Sequence, residues 1–185
     1  MTSTGRVRWI RTEELTAAEL AAVRALLLAA FGPDDYAETD WTNALGGTHF
    51  LVNEDSAVVA HASVVERELR IGERPGVTVL RTGYVEAVAT APERQGRGLG
   101  TIVMEAATDH IRERYELGAL DTSSHHFYER LGWQRWRGQL FVRTQDGEQR
   151  TPEEEGYVLV LRTPTSPLLD LDAPMSCDWR PGDVW

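Results

Sequence analysis

The chain has 185 residues, of which 42% are hydrophobic and 26% charged, enough apolar sequence for one domain with its own core. Its formal net charge of −10 argues against a nucleic-acid-binding surface, which requires clustered Lys and Arg. The one cysteine, Cys177, excludes an intrachain disulfide and favours a reducing, cytoplasmic setting. We expect neither a secretory signal in Met1–Arg11 nor a membrane span, because the longest apolar run, Ala25–Phe31, is too short.

The first elements in chain order are a strand and a helix. Val7 and Trp9 alternate with the basic residues Arg6, Arg8 and Arg11, which predicts a half-exposed strand. Thr16-Ala17-Ala18-Glu19 is a capping box that opens a helix running through Ala30. The expected buried face of this helix consists of Leu20, Val23, Leu27 and Ala30. Pro33 ends the helix, and the polar loop Asp34–Thr48 has room for a short helix around Trp41.

Three strands follow, and we expect them to form an antiparallel meander. Apolar, β-branched runs occur at Phe50–Val52, Ala57–Leu69 and Val77–Ala89. The Gly72–Gly76 segment between the last two runs has the composition of a hairpin turn. These strands lie directly before the glycine-rich stretch of the chain.

The second half alternates helices and strands. The predicted elements are a helix over Thr101–Tyr115, a strand at Ala119-Leu120, a helix capped by Ser123 or Ser124 that runs to Leu131, and two last strands over Trp133–Val142 and Tyr157–Leu161. The tail, residues 164–185, contains two tryptophans, so we expect it to be packed. The element order predicts an α/β sheet with helices on both faces.

Gln95-Gly96-Arg97-Gly98-Leu99-Gly100 is the most informative stretch of the chain. A glycine-rich turn between a strand and a helix presents backbone N–H groups and the positive end of the helix dipole to an anion. A Walker loop is excluded because no lysine precedes Thr101, and the glycine spacing does not fit a dinucleotide fingerprint. The pattern Gln95-x-x-Gly98-x-Gly100, with Arg94 beside it, indicates a site for a pyrophosphate-like anion.

This pattern resembles the acetyl-CoA loop of the GCN5-related N-acetyltransferases (GNATs), whose element order the chain shares. The resemblance implies the GNAT fold, with a central mixed and mostly antiparallel sheet, and acetyl-CoA as the cofactor. It implies that the cofactor is bound by the following residues: Val88, Ala89, Thr90, Gln95, Gly96, Arg97, Gly98, Leu99 and Gly100.

Further stretches resemble one family within that superfamily, the aminoglycoside 2′-N-acetyltransferases. They are Glu38–Trp41, Leu45–Gly47, Gly83–Ala87, Tyr115–Leu120, Thr151–Gly156 and, most specifically, Cys177–Trp185. The resemblance implies transfer of an acetyl group to the 2′-amine of an aminoglycoside, antibiotic resistance and a homodimer. It also implies one domain over residues 1–185, whose tail, residues 164–185, contributes to the substrate pocket.

Acetyl transfer to an amine requires a base, an oxyanion donor and an acid. Glu86, late in the strand before the glycine-rich turn, is the predicted base, acting through a water; the alternative is an ordinary strand glutamate. Tyr128 is the predicted acid for the departing thiolate, although it could instead pack in the core. The N–H of Val88 is the candidate oxyanion donor, which only the likeness of fold supports.

A polycationic sugar is bound best by carboxylates. The predicted substrate-binding set is Asp35, Glu86, Ala87, Asp121, Glu153, Glu154, Asp183 and Trp185, the last through an indole face and the terminal carboxylate. Asp121 stands where relatives often have serine, and Ala87 and Glu154 where some have Gly and Asp. Each acid alone is more typical of a solvated surface charge.

Other interpretations of the function stay open. The acceptor could be another amine, such as a polyamine, an amino sugar or a protein N-terminus, or the protein could bind aminoglycosides without catalysis. The cellular role could be resistance, self-protection of a producer or ordinary metabolism. No metal site is predicted, since His125 and His126 point about 100° apart on a helix. We expect His49, His61 and His110 to be isolated and structural, and Cys177 not to act as a nucleophile.

Overall fold

A computed structural model describes residues 7–73 and 75–185 of the chain. Arg6 of the predicted first strand, Arg74 of the predicted hairpin turn and most of the segment tested for a signal sequence lie outside these ranges. Two compact units can be separated. One comprises the chain up to Val65 together with Val85–Asp109, and the other comprises Glu66–Tyr84 with His110–Trp185.

Ten strands and four α-helices make up the described chain. The strands are β1 (Arg8–Arg11), β2 (Thr48–Glu54), β3 (Ala57–Ile71), β4 (Thr78–Thr90), β5 (Leu117–Asp121), β6 (Gln134–Arg135), β7 (Leu140–Thr144), β8 (Gly147–Arg150), β9 (Val158–Arg162) and β10 (Met175–Asp178). The helices are α1 (Ala17–Phe31), α2 (Glu38–Asn43), α3 (Leu99–Arg114) and α4 (His125–Glu129).

In the first unit, antiparallel pairing joins β1 to β2 and β2 to β3. Helix α1 begins as predicted, because the Thr16 side chain accepts a hydrogen bond from the Glu19 N–H while the Glu19 carboxylate accepts one from the Thr16 N–H. Its buried residues are Val23, Leu26 and Leu27, so the buried face is rotated slightly from the one predicted. The short helix around Trp41 is confirmed, and this indole is buried.

In the second unit the strand order is β6-β9-β5-β4-β3-β10-β7-β8. The β4–β5 and β10–β7 pairs are parallel, whereas β5–β9, β6–β9, β7–β8 and β10–β3 are antiparallel. The predicted mixed sheet is therefore confirmed. The tail forms part of it, since β10 lies between β3 and β7 and its Met175 and Cys177 are buried.

The prediction of one strand over Trp133–Val142 is wrong. The run is divided into β6 and β7 because its middle bonds to the tail instead of to a strand. The N–H groups of Arg137 and Gly138 both donate to the carbonyl of Leu171, and the Trp136 indole donates to the Ala173 carbonyl at 3.0 Å. The prediction of only two last strands is also wrong, because β8 and β10 were missed.

Helix α4 is shorter than predicted and ends at Glu129. Ser124 occupies the N-cap position, but its side chain makes no capping bond among the described residues. Instead the Thr122 hydroxyl accepts the Ser124 N–H at 2.9 Å, which shapes the turn before the helix.

A pair of glycines lets the last turn of α3 approach the sheet of the second unit. Gly83 of β4 and Gly118 of β5 are parallel register partners. A Cβ on Gly83 would lie 2.8 Å from the Tyr115 ring and 2.9 Å from Ile111. Both glycines belong to the stretches that carried the family resemblance, and packing explains why no larger residue fits there.

Gly83→Ala should therefore destabilise the fold by about 1–3 kcal/mol, because the added methyl overpacks a closed contact. Urea unfolding measures the change. Gly76→Ala is the matched control, since its Cβ would have its nearest neighbour at 3.6 Å. Equal free energies of unfolding for the two variants would contradict the packing argument.

Candidate functional site

Strand β4 contains a left-handed residue next to the predicted base. Ala87 has a φ of 52°, a conformation that residues with a Cβ seldom adopt and that is typical of β-bulges. It breaks the alternation of the strand, and Glu86, Ala87 and Val88 are all half-buried. Two side chains of β3 hold the backbone here: the Ser63 hydroxyl donates to the Glu86 carbonyl at 3.3 Å, and the His61 ring bonds to the Ala87 carbonyl at 2.7 Å.

The surroundings of Glu86 are acidic. Burial, and after it the negative charges of Asp40 and Glu86, raise the pKa of the Tyr36 phenol above its ordinary value. Tyr36 stacks on Phe31 with ring centroids 5.6 Å apart, and Asp35 beside it is exposed. This part of the first unit therefore has a potential that favours a cation.

The glycine-rich turn has the geometry of an anion cradle. Gly96 and Gly98 have φ values of 74° and 80°, and a side chain would strain the backbone at either position. Residues 95–98 are exposed, and the Ile102 N–H donates to the Gly98 carbonyl at 3.1 Å, so α3 begins directly after the turn. The N–H groups of its first turn have no helical acceptor and are available to an anion.

Two arginines beside this turn are held by one carboxylate that the sequence did not single out. The Arg97 guanidinium makes a bidentate pair with Glu54 of β2, with both N–O distances 3.1 Å. The Arg94 Nε lies 3.4 Å from the same carboxylate. The trio keeps a net positive charge next to the turn. No local pattern marks Glu54, because its partners are about forty residues away in sequence.

In the second unit, three of the predicted substrate-binding acids act electrostatically on a fourth, Glu154. Burial and the charge of Asp183 raise the pKa of Glu154, the charge of Glu153 adds to this, and a hydrogen bond with the Asp121 side chain offsets part of it. Asp121 ends β5, Glu153 and Glu154 form a short 3₁₀ turn, and Asp183 comes from the tail. We refer to Asp121, Glu153, Glu154 and Asp183 as the acidic group.

The end of the tail is fixed inside the second unit. Trp185 is 3% exposed, and its indole N–H donates to the Thr151 hydroxyl at 2.9 Å. Arg180 donates to the Trp185 main-chain oxygen at 3.2 Å, and Arg67 donates to the Val184 carbonyl at 2.7 Å. The indole therefore packs inside the chain, in contrast to the ring face that we expected it to present to a sugar.

Tyr128 is also buried, at 7% exposure. Its ring packs edge-on against Phe127 and Trp133, with centroid distances of 4.9 and 6.3 Å. Burial raises the pKa of the phenol above its ordinary value, so the hydroxyl keeps its proton at neutral pH. A phenol that keeps its proton at neutral pH has a proton to donate.

The expectation that His49 and His61 are isolated is wrong. Their rings hydrogen-bond to each other at 2.9 Å inside the first unit, and both residues are completely buried. Sequence reasoning missed the pair because β2 and β3 bring it together only through their register. Cys177 is buried too, and burial raises the pKa of its thiol, which disfavours a nucleophilic thiolate.

Comparison with known proteins gives the family of the chain. Residues 11–136 match the family model described as an acetyltransferase (GNAT) domain. An aminoglycoside 2′-N-acetyltransferase of Mycolicibacterium fortuitum is 40% identical over 182 residues, covering 96% of this chain and 91% of that protein. The chain belongs to the GNAT acetyltransferases and, within them, to the aminoglycoside 2′-N-acetyltransferase family.

Solved structures agree on the fold. A GNAT family acetyltransferase from Brucella melitensis in complex with acetyl-CoA has a TM-score of 0.58 at 17% identity, covering 92% of this chain and 95% of that one. A GCN5-related N-acetyltransferase from Kribbella flavida has a TM-score of 0.57 at 23% identity, covering 74% of this chain, which spans only 34% of that longer protein. The predicted GNAT fold is thus confirmed.

Family membership makes this GNAT chain an acyltransferase enzyme with acetyl-CoA as its cofactor. The left-handed glycines, the start of α3 and the two arginines fit the pyrophosphate of that cofactor. Within the described residues, no helix is both long and apolar enough to cross a membrane.

Asp183→Asn should stabilise the protein at pH 7 by about 0.5 kcal/mol, a modest amount because the acids are partly exposed. The raised pKa of Glu154 means that the folded state binds its proton more tightly, so the stability that this proton contributes is lost as the pH rises from the ordinary pKa of the group to the raised one. The gain should therefore shrink when urea unfolding is repeated at pH 4. Glu105→Gln, on an exposed position of α3, is the charge-matched control. A gain of the same size at both pH values would contradict mutual repulsion in the acidic group.

Proposed function

We propose that this enzyme acetylates the 2′-amino group of aminoglycosides by direct transfer from acetyl-CoA, without an acyl-enzyme. The observation that carries the proposal is the acidic group, in which burial and the charges of Asp183 and Glu153 raise the pKa of Glu154, so that a bound cation would favour its ionised form. The name of the M. fortuitum relative supports this substrate class. Acetylation removes one positive charge from the drug, which is the physical basis for the resistance that we also propose.

The cofactor is held by main-chain groups. Gln95, Gly96, Arg97, Gly98, Leu99 and Gly100 receive the pyrophosphate, and Val88, Ala89 and Thr90 receive the pantetheine arm. The exposed turn and its positive φ values support the first assignment. The Gln95 side chain reaches the Thr90 carbonyl at 3.5 Å, which ties the turn to the end of β4. Bound acetyl-CoA supplies the thioester whose acetyl group is transferred.

Glu86 removes a proton from the substrate ammonium through a water. Its half-buried position and the hydrogen bond that holds its own carbonyl support a fixed carboxylate. The peptide N–H of Val88 donates a hydrogen bond to the thioester oxygen as negative charge develops there. Tyr128 donates the phenolic proton to the departing sulfur, and its burial ensures that the phenol carries this proton before the transfer.

The substrate ammonium groups and hydroxyls are bound by the acidic group of the second unit. From the family resemblance, Asp35, Glu86 and Ala87 are proposed as further substrate contacts. The tail contributes through Asp183 and through a main-chain oxygen of Trp185. Charge-assisted hydrogen bonds from ammonium to carboxylate are short and strong, so a polycation is the ligand that such a set selects.

An amine panel tests the substrate assignment. An aminoglycoside with a 2′-amine should release free coenzyme A at least 100-fold faster than the same scaffold with a 2′-hydroxyl, and NMR of the product should place the acetyl group on that amine. A polyamine or a peptide N-terminus should be a poor acceptor, and a better rate with either would replace the proposal. Calorimetric binding of the drug without release of coenzyme A would indicate sequestration instead.

Glu86→Gln should lower kcat mainly at low pH, where the acceptor amine is protonated and its deprotonation limits the rate. The measurement is the pH profile of kcat with the preferred amine. Tyr128→Phe provides the contrast: it should slow turnover across the profile, because it removes the acid rather than the base. A wild-type profile for Glu86→Gln would exclude Glu86 as the base.

A further inference from the structure

A continuous chain of hydrogen bonds runs through the interior of the first unit. The Thr12 hydroxyl lies 2.8 Å from His49 Nε2, His49 Nδ1 lies 2.9 Å from His61 Nε2, and His61 Nδ1 lies 2.7 Å from the Ala87 carbonyl oxygen. Both imidazoles are completely buried. The chain ends at the left-handed residue beside Glu86.

The acceptor at the end of the chain fixes the direction of the two hydrogen bonds that the rings donate. A carbonyl oxygen can only accept, so His61 carries its hydrogen on Nδ1 and its Nε2 accepts from His49. His49 is then also the Nδ1–H tautomer, and its Nε2 is an acceptor for the Thr12 hydroxyl, which also lies 3.2 Å from the Gly47 carbonyl. The Thr12 hydroxyl is held by a backbone bond as well, since the Gly46 N–H donates to it at 2.9 Å. Burial lowers the pKa of His49 to about 4 and that of His61 to about 3, which keeps both rings neutral.

The last bond fixes a whole peptide unit. The carbonyl of Ala87 and the N–H of Val88 belong to one planar trans peptide, in which the two bonds point in opposite directions. A donor that holds the carbonyl therefore also aims the Val88 N–H away from His61. It further holds Ala87 at a φ of 52°, which is unfavourable by about 1–2 kcal/mol for a residue with a Cβ.

We propose that His61, oriented by His49 and Thr12, is a positioning residue that aims the Val88 N–H and the adjoining Glu86 for acetyl transfer. The inference rests on the proposed function, because it gives catalytic meaning to the direction of that N–H. It assigns a role to two buried imidazoles that burial keeps neutral.

Kinetics of His61 variants test the role. His61→Leu removes the donor and should lower kcat at least tenfold with little change in KM. Complete loss of an oxyanion donor lowers kcat by about 10²–10³-fold. A donor that is present but misdirected should cause a smaller decrease. His61→Asn keeps an N–H near the position of Nδ1 and should stay within threefold of the wild type. Thermal unfolding of each variant shows whether it is folded.

Ala87→Gly gives the second arm, because glycine adopts a positive φ without strain. The loss caused by His61→Leu should be at least threefold smaller in an Ala87→Gly background than in the wild type. Equal losses in both backgrounds, or a wild-type kcat for His61→Leu, would overturn the positioning role.

NMR separates this inference from the proposed function. The ¹⁵N shifts of the imidazoles should show Nδ1–H tautomers for both His49 and His61 in the wild-type protein at pH 7, although the other tautomer prevails in water. If the wild-type protein shows these tautomers but acetylates no amine, the proposed function is refuted and the hydrogen-bond chain is still supported. Nε2–H tautomers would overturn the inference even in an active enzyme.

Discussion

The direction of one peptide bond is the constraint on which the chemistry that we propose for the first unit depends. A regular strand would alternate its residues and send each carbonyl and N–H into the sheet ladder. At Ala87 the backbone turns left-handed instead, which interrupts that regular alternation. This conformation persists because neighbours fix it: Ser63 and His61 hold two successive carbonyls. Local strain is offset by hydrogen bonds that are buried and therefore stronger than in water.

The positive charges assigned to cofactor binding and the negative charges assigned to substrate binding lie in different units. The first unit has arginines and main-chain N–H groups at the glycine-rich turn, where an anionic cofactor is expected. The second unit has the acidic group, in which neighbouring carboxylate charges raise the pKa of Glu154, and in the function that we propose a polycationic acceptor relieves this repulsion. On that proposal, part of the formal net charge of −10 serves substrate binding, and the acidic group trades folding stability for affinity for a cation.

The sequence predicted best what short-range chemistry decides. The Thr16 capping box, the glycine-rich turn at residues 95–100 and the strand before it follow from residues within a few positions of one another. The split between β6 and β7 could not be predicted, because it depends on the tail passing over Gly138, more than thirty residues away. β8 and β10 have four residues each, too few for a periodic pattern to mark them as strands.

The same distinction applies to the candidate site. Glu86, Tyr128 and the acids were found from residue type and family resemblance, without knowledge of their surroundings. His49 and His61 gave no local signal, since a histidine on an apolar strand is ordinary. Only the pairing of β2 with β3 shows that one ring supports the other. The hydrogen bond that fixes the buried Trp185 indole could likewise not be predicted, because its partner Thr151 lies in another segment of the chain.

In the cofactor site that we propose, Glu54 limits the affinity of the two arginines for an anion. A bidentate carboxylate holds Arg97 in one conformation, which reduces the entropy lost when an anion binds nearby. The same carboxylate competes with a phosphate for the guanidinium and repels it, so part of the electrostatic gain is cancelled. An enzyme that releases coenzyme A after each turnover gains from this compromise, because stronger binding by unpaired arginines would slow product release as much as it improved substrate binding. On this proposal the positive φ values of the turn bring main-chain N–H groups to a diphosphate, whereas Glu54 moderates the strength with which the arginines hold it.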